Sequence, residues 1–427
     1  MIKPFCVWMA AIVFAPSAFS QVADSLDIKI GQMILIGMPK AAVDSMVLDE
    51  VKKGRVGTII FFEKNVPNKP NAFADLKKLT WTYQKAAPIP LFISIDQEGG
   101  KVNRLKEKYG FTRSITAAAT GRSKSLDSVR FYAEATAATL AGLGFNVNFA
   151  PVVDLAVEPN NPAIVKPGRS YSVNEDSVTL FAKEFVKQHR KFGVVTVLKH
   201  FPGHGSSKDD THFGIADVTK TWSERELKPY QSLIDSGYVD AVMTAHIVNK
   251  KLDIKGYPGT LSKDILDGIL RKKLGYRGVV FSDDMQMEAI SKQYGFEESI
   301  KMAVLAGVDI MCFANNVPGS QTRKVDLIFS AIKSAVAKGE ITPQRIDESF
   351  RRIMKLKKES LNRTDCKALT KRSEEQAREA MEAAKLQKDA TELHSRLATM
   401  QLKAAQEEIK KLKEEVETLG KKNKQKE

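Results

Sequence analysis

Three cysteines in 427 residues are too few for a disulfide framework. Cys6 falls inside the first apolar run, which leaves Cys312 and Cys366 for a mature chain, and Cys312 lies in an apolar strand-like run and reads as core. Long hydrophobic runs are missing as well. Phe5 to Ala15 is shorter than the roughly 20 apolar residues a membrane-spanning helix needs, and no later stretch reaches that length. A phosphate-binding glycine fingerprint is also absent, since the first strand-to-helix turn reads Gly37-Met-Pro-Lys. The formal charge of +15 would suit nucleic acid. However, Lys and Arg are spread along the whole chain and no motif that reads DNA or RNA occurs. No nucleic-acid partner is expected; an anionic polymer such as a cell wall suits a basic surface as well.

What the chain does contain begins with a targeting signal. Lys3 precedes the short apolar run, and Ala18-Phe19-Ser20 gives the small-x-small pattern before a cut at Gln21. Residues 1–20 therefore read as a signal peptide. The protein is expected to be exported, to a periplasm or outside the cell, with no membrane span.

Short apolar runs then alternate with helix-period segments. The runs are Met33–Gly37, Val56–Phe62, Leu91–Asp96, Phe145–Ala150, Val194–His200, Ala241–His246, Gly278–Asp283 and Val308–Phe313. Between them lie helical stretches such as Ser125–Leu143, Ser223–Asp235, Ser262–Leu274 and Met285–Leu305, with Ser125, Ser223 and Ser262 as expected N-caps. Eight β-then-α units predict an α/β fold, a single (β/α)8 barrel over residues 21–360 that ends in the basic helix Pro343–Lys358. Residues 361–427 change character: no aromatic, no proline and mixed charge throughout. Leu386, Ala390, Leu393, Leu397 and Met400 step by heptad spacing, and Ala405, Ile409, Leu412, Val416 and Leu419 do so again after a slip. This predicts a helical, coiled-coil-like extension that serves self-association, or a long solvated helix with no partner.

In a barrel of this kind, working residues sit where strands end and loops begin. Asp96, Lys199-His200, His246 and Asp283-Asp284 all fall at such ends. The long loops Gln97–Lys124 and Pro151–Ser172 follow the third and fourth strands, and the second carries Arg169. The stretch Lys199 to His212 holds three of the six histidines, with Gly203 and Gly205 expected to loosen its backbone. Asp210 and His212 are two apart, so an extended backbone turns both toward one atom, and the carboxylate favours a protonated imidazole. Lys199 and His200 are adjacent, which on a regular strand sends their side chains to opposite sides. If both serve one site, the backbone between Leu198 and Pro202 must be irregular, through a bulge or a non-proline cis peptide.

These residues leave two chemistries open. His200, His204 and His212 with nearby Asp could hold a metal for hydrolysis, although Pro202 and Gly203 interrupt the helical H-x-x-x-H spacing. Alternatively, Asp283 could serve as a carboxylate nucleophile opposite a proton donor, as glycoside hydrolysis requires. A non-catalytic scaffold that only binds cell-wall glycan is a third reading.

Five motifs together resemble family-3 glycoside hydrolases, in particular the β-N-acetylhexosaminidase (NagZ-type) branch. They are Asp96-Gln-Glu-Gly-Gly-Lys-Val-Asn-Arg104-Leu, Gly168-Arg169-Ser170-Tyr171, Lys199-His200-Phe-Pro-Gly-His-Gly, Asp210-Thr-His212 and Phe281-Ser-Asp283-Asp284-Met. The resemblance runs from Ile30 to Lys358. It implies a retaining mechanism that removes terminal β-linked N-acetylglucosamine from a carbohydrate substrate. Asp283 would be the nucleophile and His212 the acid/base, with Asp210 orienting it. Asp96, Arg104, Arg169, Lys199 and His200 would hold the terminal sugar. No metal or organic cofactor is implied. Lys101 stands where the family usually has Arg, Ser206-Ser207 replace its usual Asp-Thr, and the extension after Asn362 has no counterpart in the compact enzymes of this branch. His189 and His394 read as solvated bystanders.

Overall fold

The computed structural model describes residues 25–70, 72–211, 214–316 and 324–362, together with 382, 399, 400 and 406. The strands, in chain order, are β1 Ile34–Gly37, β2 Thr58–Phe61, β3 Phe92–Ile95, β4 Val147–Asn148, β5 Val195–Phe201, β6 Ala216–Asp217, β7 Ala241–Thr244, β8 Ile247–Val248, β9 Val279–Asp284 and β10 Ile310–Phe313. Eight of them close into a barrel in the order β1-β10-β9-β7-β5-β4-β3-β2, and every pairing in it is parallel. Helices clothe the outside, so each barrel strand is covered on both faces. That is why the strands read as continuous apolar runs without alternation. Each expected run holds one barrel strand, and the fold is the expected (β/α)8 barrel.

Strand β4 is shorter than its apolar run, and asparagine side chains add to the backbone bonds that continue at both of its ends. Asn146 Oδ1 accepts from the Ile93 amide at 2.7 Å and its Nδ2 donates to the Leu91 carbonyl at 2.8 Å. Asn148 does the same for Gln97, accepting from its N–H at 3.0 Å and donating to its carbonyl at 3.1 Å. His189, expected to be solvated, is buried behind β4. Its Nδ1 donates to the Phe185 carbonyl at 3.0 Å, its Nε2 meets Asn148 Nδ2 at 3.1 Å, and burial lowers its pKa to about 4.

Helix Leu126–Leu143 starts as expected, with Ser125 Oγ accepting from the Ser128 amide, and stops at Gly144, whose φ of 85° few other residues adopt. Ser262 Oγ accepts from the Ile265 amide at 3.1 Å, but the helix it introduces, Asp264–Lys273, is of π type. Ser223 makes no side-chain cap; a short 3-10 turn, Glu224–Leu227, leads into helix Lys228–Asp235. The segment expected as one helix from Met285 to Leu305 is two, Glu288–Ser291 and Phe296–Ala306. Gly295 is extended between them, and Glu297 and Glu298 behind it suit a new N-terminus.

The barrel floor, at the N-terminal ends of the strands, is closed by a charged side chain. Lys357, from helix Pro343–Asn362, donates to Gln32 Oε1 at 2.7 Å and to the Gly57 carbonyl at 3.0 Å, below the Phe92 ring. At the other end of the barrel, β6 and β8 pair in parallel through Ala216 with Ile247 and Asp217 with Val248, which ties the loop after β5 to the loop after β7. Among the described residues no helix is long and apolar enough to cross a membrane. The expected signal peptide lies outside the described residues, as does nearly all of the expected extension, His394 and Cys366 included.

Candidate active site

At the mouth of the barrel β3 and β5 bring acid and base together. Lys199, buried on β5, donates to Asp96 Oδ1 at 2.8 Å and reaches Glu98 Oε1 at 2.6 Å. Arg104 NH2 stands 3.6 Å from Asp96 Oδ2, with its guanidinium 5.6 Å from the centre of the Phe62 ring. Gln97 holds the loop that presents Arg104: its Oε1 accepts from the amides of Arg104 and Leu105 at 3.0 and 3.2 Å. Asp96 keeps part of its carboxylate exposed between the two cations.

Glu98 is the shared partner beneath this layer. It takes a two-pronged bond from Arg169, with Nε and NH2 each at 2.8 Å from a carboxylate oxygen. Such forked pairs fix the guanidinium plane. Burial alone would raise the Glu98 carboxyl, but the charges of Arg169 and Lys199 overcome it and hold the group well below the usual carboxylate range. Arg169 NH1 donates to the Ala163 carbonyl at 2.9 Å and NH2 meets His200 Nε2 at 3.2 Å.

His200 is fixed from its other side by Asp154, a residue whose role no sequence pattern decided. His200 Nδ1 donates to Asp154 Oδ2 at 2.7 Å, and the amides of His200 and His204 donate to the same carboxylate. Burial opposes ionisation of Asp154, yet these partners keep its pKa lowered. The peptide between Lys199 and His200 is cis, and the β5–β7 register shifts between Leu198 and Phe201. The expected irregularity is therefore present, and both side chains engage the same polar network.

On β9 the burial pattern breaks at Asp283, which is half-buried, while Asp284 is buried. Asp284 is structural: its Oδ1 accepts from the amides of Gln286 and Ala314 at 3.1 and 3.2 Å. His246 is buried. Its Nε2 donates to the Asp284 carbonyl at 3.0 Å and its Nδ1 meets the Thr260 hydroxyl at 2.7 Å, which joins the end of β7 to the end of β9. Burial pushes the Cys312 thiol on β10 well above its usual value, and the charges of Asp284, Asp283 and Asp96 push it the same way. Asp283 and Asp96 both end barrel strands on the same rim, at β9 and just after β3.

The loop after β5 lies folded onto the mouth. A Cβ on Gly205 would come 1.9 Å from the Leu155 carbonyl oxygen, so glycine here permits close packing and does not loosen the chain as expected. Ser207 Oγ donates to the Asp209 carbonyl at 2.7 Å and shapes the turn that leads to Asp210, which is half-buried. His212 lies outside the described residues, so the Asp210–His212 pair and the full His200/His204/His212 set do too. His204 is buried, its Nε2 lies 3.4 Å from Thr211 Oγ1, and burial lowers its pKa to about 4. Among the described residues no cluster of three His, Cys, Asp or Glu side chains is arranged to hold a metal ion.

The model of the glycosyl hydrolase family 3 N terminal domain matches residues 25–356. The chain belongs to glycosyl hydrolase family 3. This family-3 chain is 32% identical over 323 residues to "Beta-hexosaminidase A" of Pseudoalteromonas piscicida, covering 71% of this chain and 53% of that protein, about half its length. It is 30% identical over 290 residues to a "Beta-hexosaminidase" of Tolumonas auensis, covering 67% of this chain and 84% of the relative. Among solved structures, a family-3 β-N-acetylglucosaminidase from Paenibacillus sp. superposes with a TM-score of 0.72 at 32% identity, covering 83% of this chain and 69% of that one. The resemblance to the β-N-acetylhexosaminidase branch, drawn from five motifs, is met by these relatives.

Proposed function

We propose that this family-3 hydrolase is an exported, retaining exo-β-N-acetylglucosaminidase that removes terminal β-linked N-acetylglucosamine from muropeptides or chitooligosaccharides. The observation that carries the reading is the network Asp96–Lys199–Glu98–Arg169–His200–Asp154, on the same barrel rim as a half-buried Asp283 at the end of β9. A carboxylate flanked by Lys199 and Arg104 suits adjacent sugar hydroxyls. Arg169 and Lys199 are held by their carboxylate partners, and His200 is fixed between Asp154 and Arg169, so the geometry is set before substrate arrives, which lowers the reorganisation needed on binding.

In the chemistry, Asp283 attacks the anomeric carbon and forms the glycosyl-enzyme while the leaving oxygen takes a proton from His212. His212, oriented by Asp210, then accepts a proton from the incoming water, and the sugar leaves with its configuration retained. The β-hexosaminidase relatives support the sugar class, and the apolar run Phe5–Ala15 with Ala18-Phe19-Ser20 supports export.

Purified protein assayed with a chromogenic β-N-acetylglucosaminide, with and without phosphate, tests the reading and separates water from phosphate as acceptor. Rapid NMR should find the β-anomer first. An α-anomer would mean inversion, and activity abolished by a chelator would return the metal-dependent alternative.

A further inference from the structure

The loop Pro202–Ser206 rests on a buried carboxyl that no sequence motif singled out. Glu226, in the 3-10 turn Glu224–Leu227, points up beneath this loop and accepts from the Gly205 amide at 2.8 Å. The approach is close. Gly203 has φ 116°, and a Cβ there would lie 2.5 Å from Glu226 Cβ and 2.8 Å from its Oε2. Other elements hold the same short stretch. Trp222 Nε1 donates to the Pro202 carbonyl at 3.1 Å, Asn161 Nδ2 donates to the His204 carbonyl at 2.8 Å, and Asp154 accepts from the His204 amide at 2.8 Å. From this base the chain runs on through Ser207 to Asp210, and His204 reaches forward to Thr211.

We propose that Glu226 is a positioning residue for the proton-transfer step: its carboxyl grips the Gly205 amide from below and so fixes the base of the loop that carries Asp210 and His212. The inference rests on the reading of that loop as the acid/base carrier. Among the contacts that hold the base, those from Glu226 and Asp154 come from ionisable groups, and Asp154 is also engaged with His200. Among the described residues, the hydrogen bond of the Glu226 carboxyl goes to this loop. Burial lifts its carboxyl to about 7, with Asp154 pushing the same way and the Ser206 hydroxyl and the Gly205 and Ser206 amides drawing it down. Tyr230, on helix Lys228–Asp235, is the other ionisable group that faces it.

Three full-length variants test the proposal. Glu226→Met has similar bulk and no acceptor, Glu226→Asp withdraws the carboxylate by one methylene, and Glu226→Gln keeps an oxygen for the Gly205 amide. Hydrogen–deuterium exchange of peptides spanning 203–211 should quicken about tenfold in Glu226→Met, less in Glu226→Asp, and stay close to wild type in Glu226→Gln. On substrates with poor leaving groups kcat should fall about ten- to a hundredfold in Glu226→Met, part of what a positioned proton donor supplies. Activated aryl glycosides should lose less than about threefold, KM should hardly move, and Glu226→Gln should restore most of the loss. Unchanged exchange, equal losses on both substrate classes, or a loss confined to KM overturns the proposal. If Glu226→Met does not fold, Glu226→Asp and Glu226→Gln carry the same comparison. Should the acid/base reading itself be wrong, His212→Ala would show no dependence on leaving group while the exchange difference at Glu226 persisted, so the two failures are told apart.

Discussion

In β9 every residue but one is buried; the exception is Asp283, whose Oδ1 accepts from the Asp284 amide at 2.7 Å. A side chain held half-open at a strand end contributes little packing, so its removal should cost chemistry and spare the fold. Asp283→Ala is expected to lower kcat by at least about a thousandfold with an unchanged melting curve; activity within tenfold of wild type would remove the nucleophile assignment. His212→Ala is expected to lose about a hundredfold or more on poor leaving groups and far less on activated aryl glycosides, read from the two kcat values. Equal losses would make His212 a binding residue. At this scale the sequence announced residues that end strands: Asp96, Lys199, His200 and Asp283 all follow apolar runs. Glu98 and Asp154 were less legible because their roles depend on partners distant in the chain. Glu98 pairs with Arg169, 71 positions away, and Asp154 with His200, 46 positions away. Local pattern cannot specify a contact closed only when the barrel closes.

Among the elements, β4 does the most with the least length. Its Asn148 ties Gln97 by both backbone groups and meets His189 behind the wall, and Gln97 in turn presents Arg104. Asn148→Ala leaves several buried polar groups without partners at once. A loss of about 3 kcal/mol is expected in urea denaturation, together with a raised KM as the Arg104 loop loosens; an unchanged midpoint would mean that water replaces the amide without cost. The barrel strands were readable because burial on two faces makes each one a dense apolar run. Element ends were not. Asparagine side chains bond the neighbouring backbone where β4 ends, and one apolar period from Met285 to Leu305 hides a break at Gly295. His189 misled for a related reason: it lies in a basic helical stretch, yet the face that carries it packs on β4.

For the molecule as a whole, the floor sets a pH dependence. Burial lowers the Lys357 ammonium to about 7, against about 10.4 in an unfolded chain. A depressed lysine disfavours protonation in the fold, so its contribution to stability falls as pH drops from about 10 toward 7. Lys357→Met should therefore gain stability relative to wild type as pH is lowered across that window, read from unfolding free energies at several pH values. A difference that stays constant with pH would place the titration elsewhere. Truncation after Leu361 should leave specific activity intact and reduce the mass seen by light scattering; an unchanged oligomeric state would retire self-association through the extension. Barrel closure was legible from eight repeated units, whereas the lysine beneath it was not, because a basic helix face ordinarily meets solvent. The same lysine fixes where the chain enters and leaves. Gln32, in the helix that feeds β1, and Lys357, near the end of the last barrel helix, are hydrogen-bonded to each other on the side opposite Asp96, Arg169 and Asp283. A tether at either end of the barrel, whether to a surface, a neighbouring subunit or a fused module, would thus hold the molecule by its base, with the mouth of the barrel turned outward.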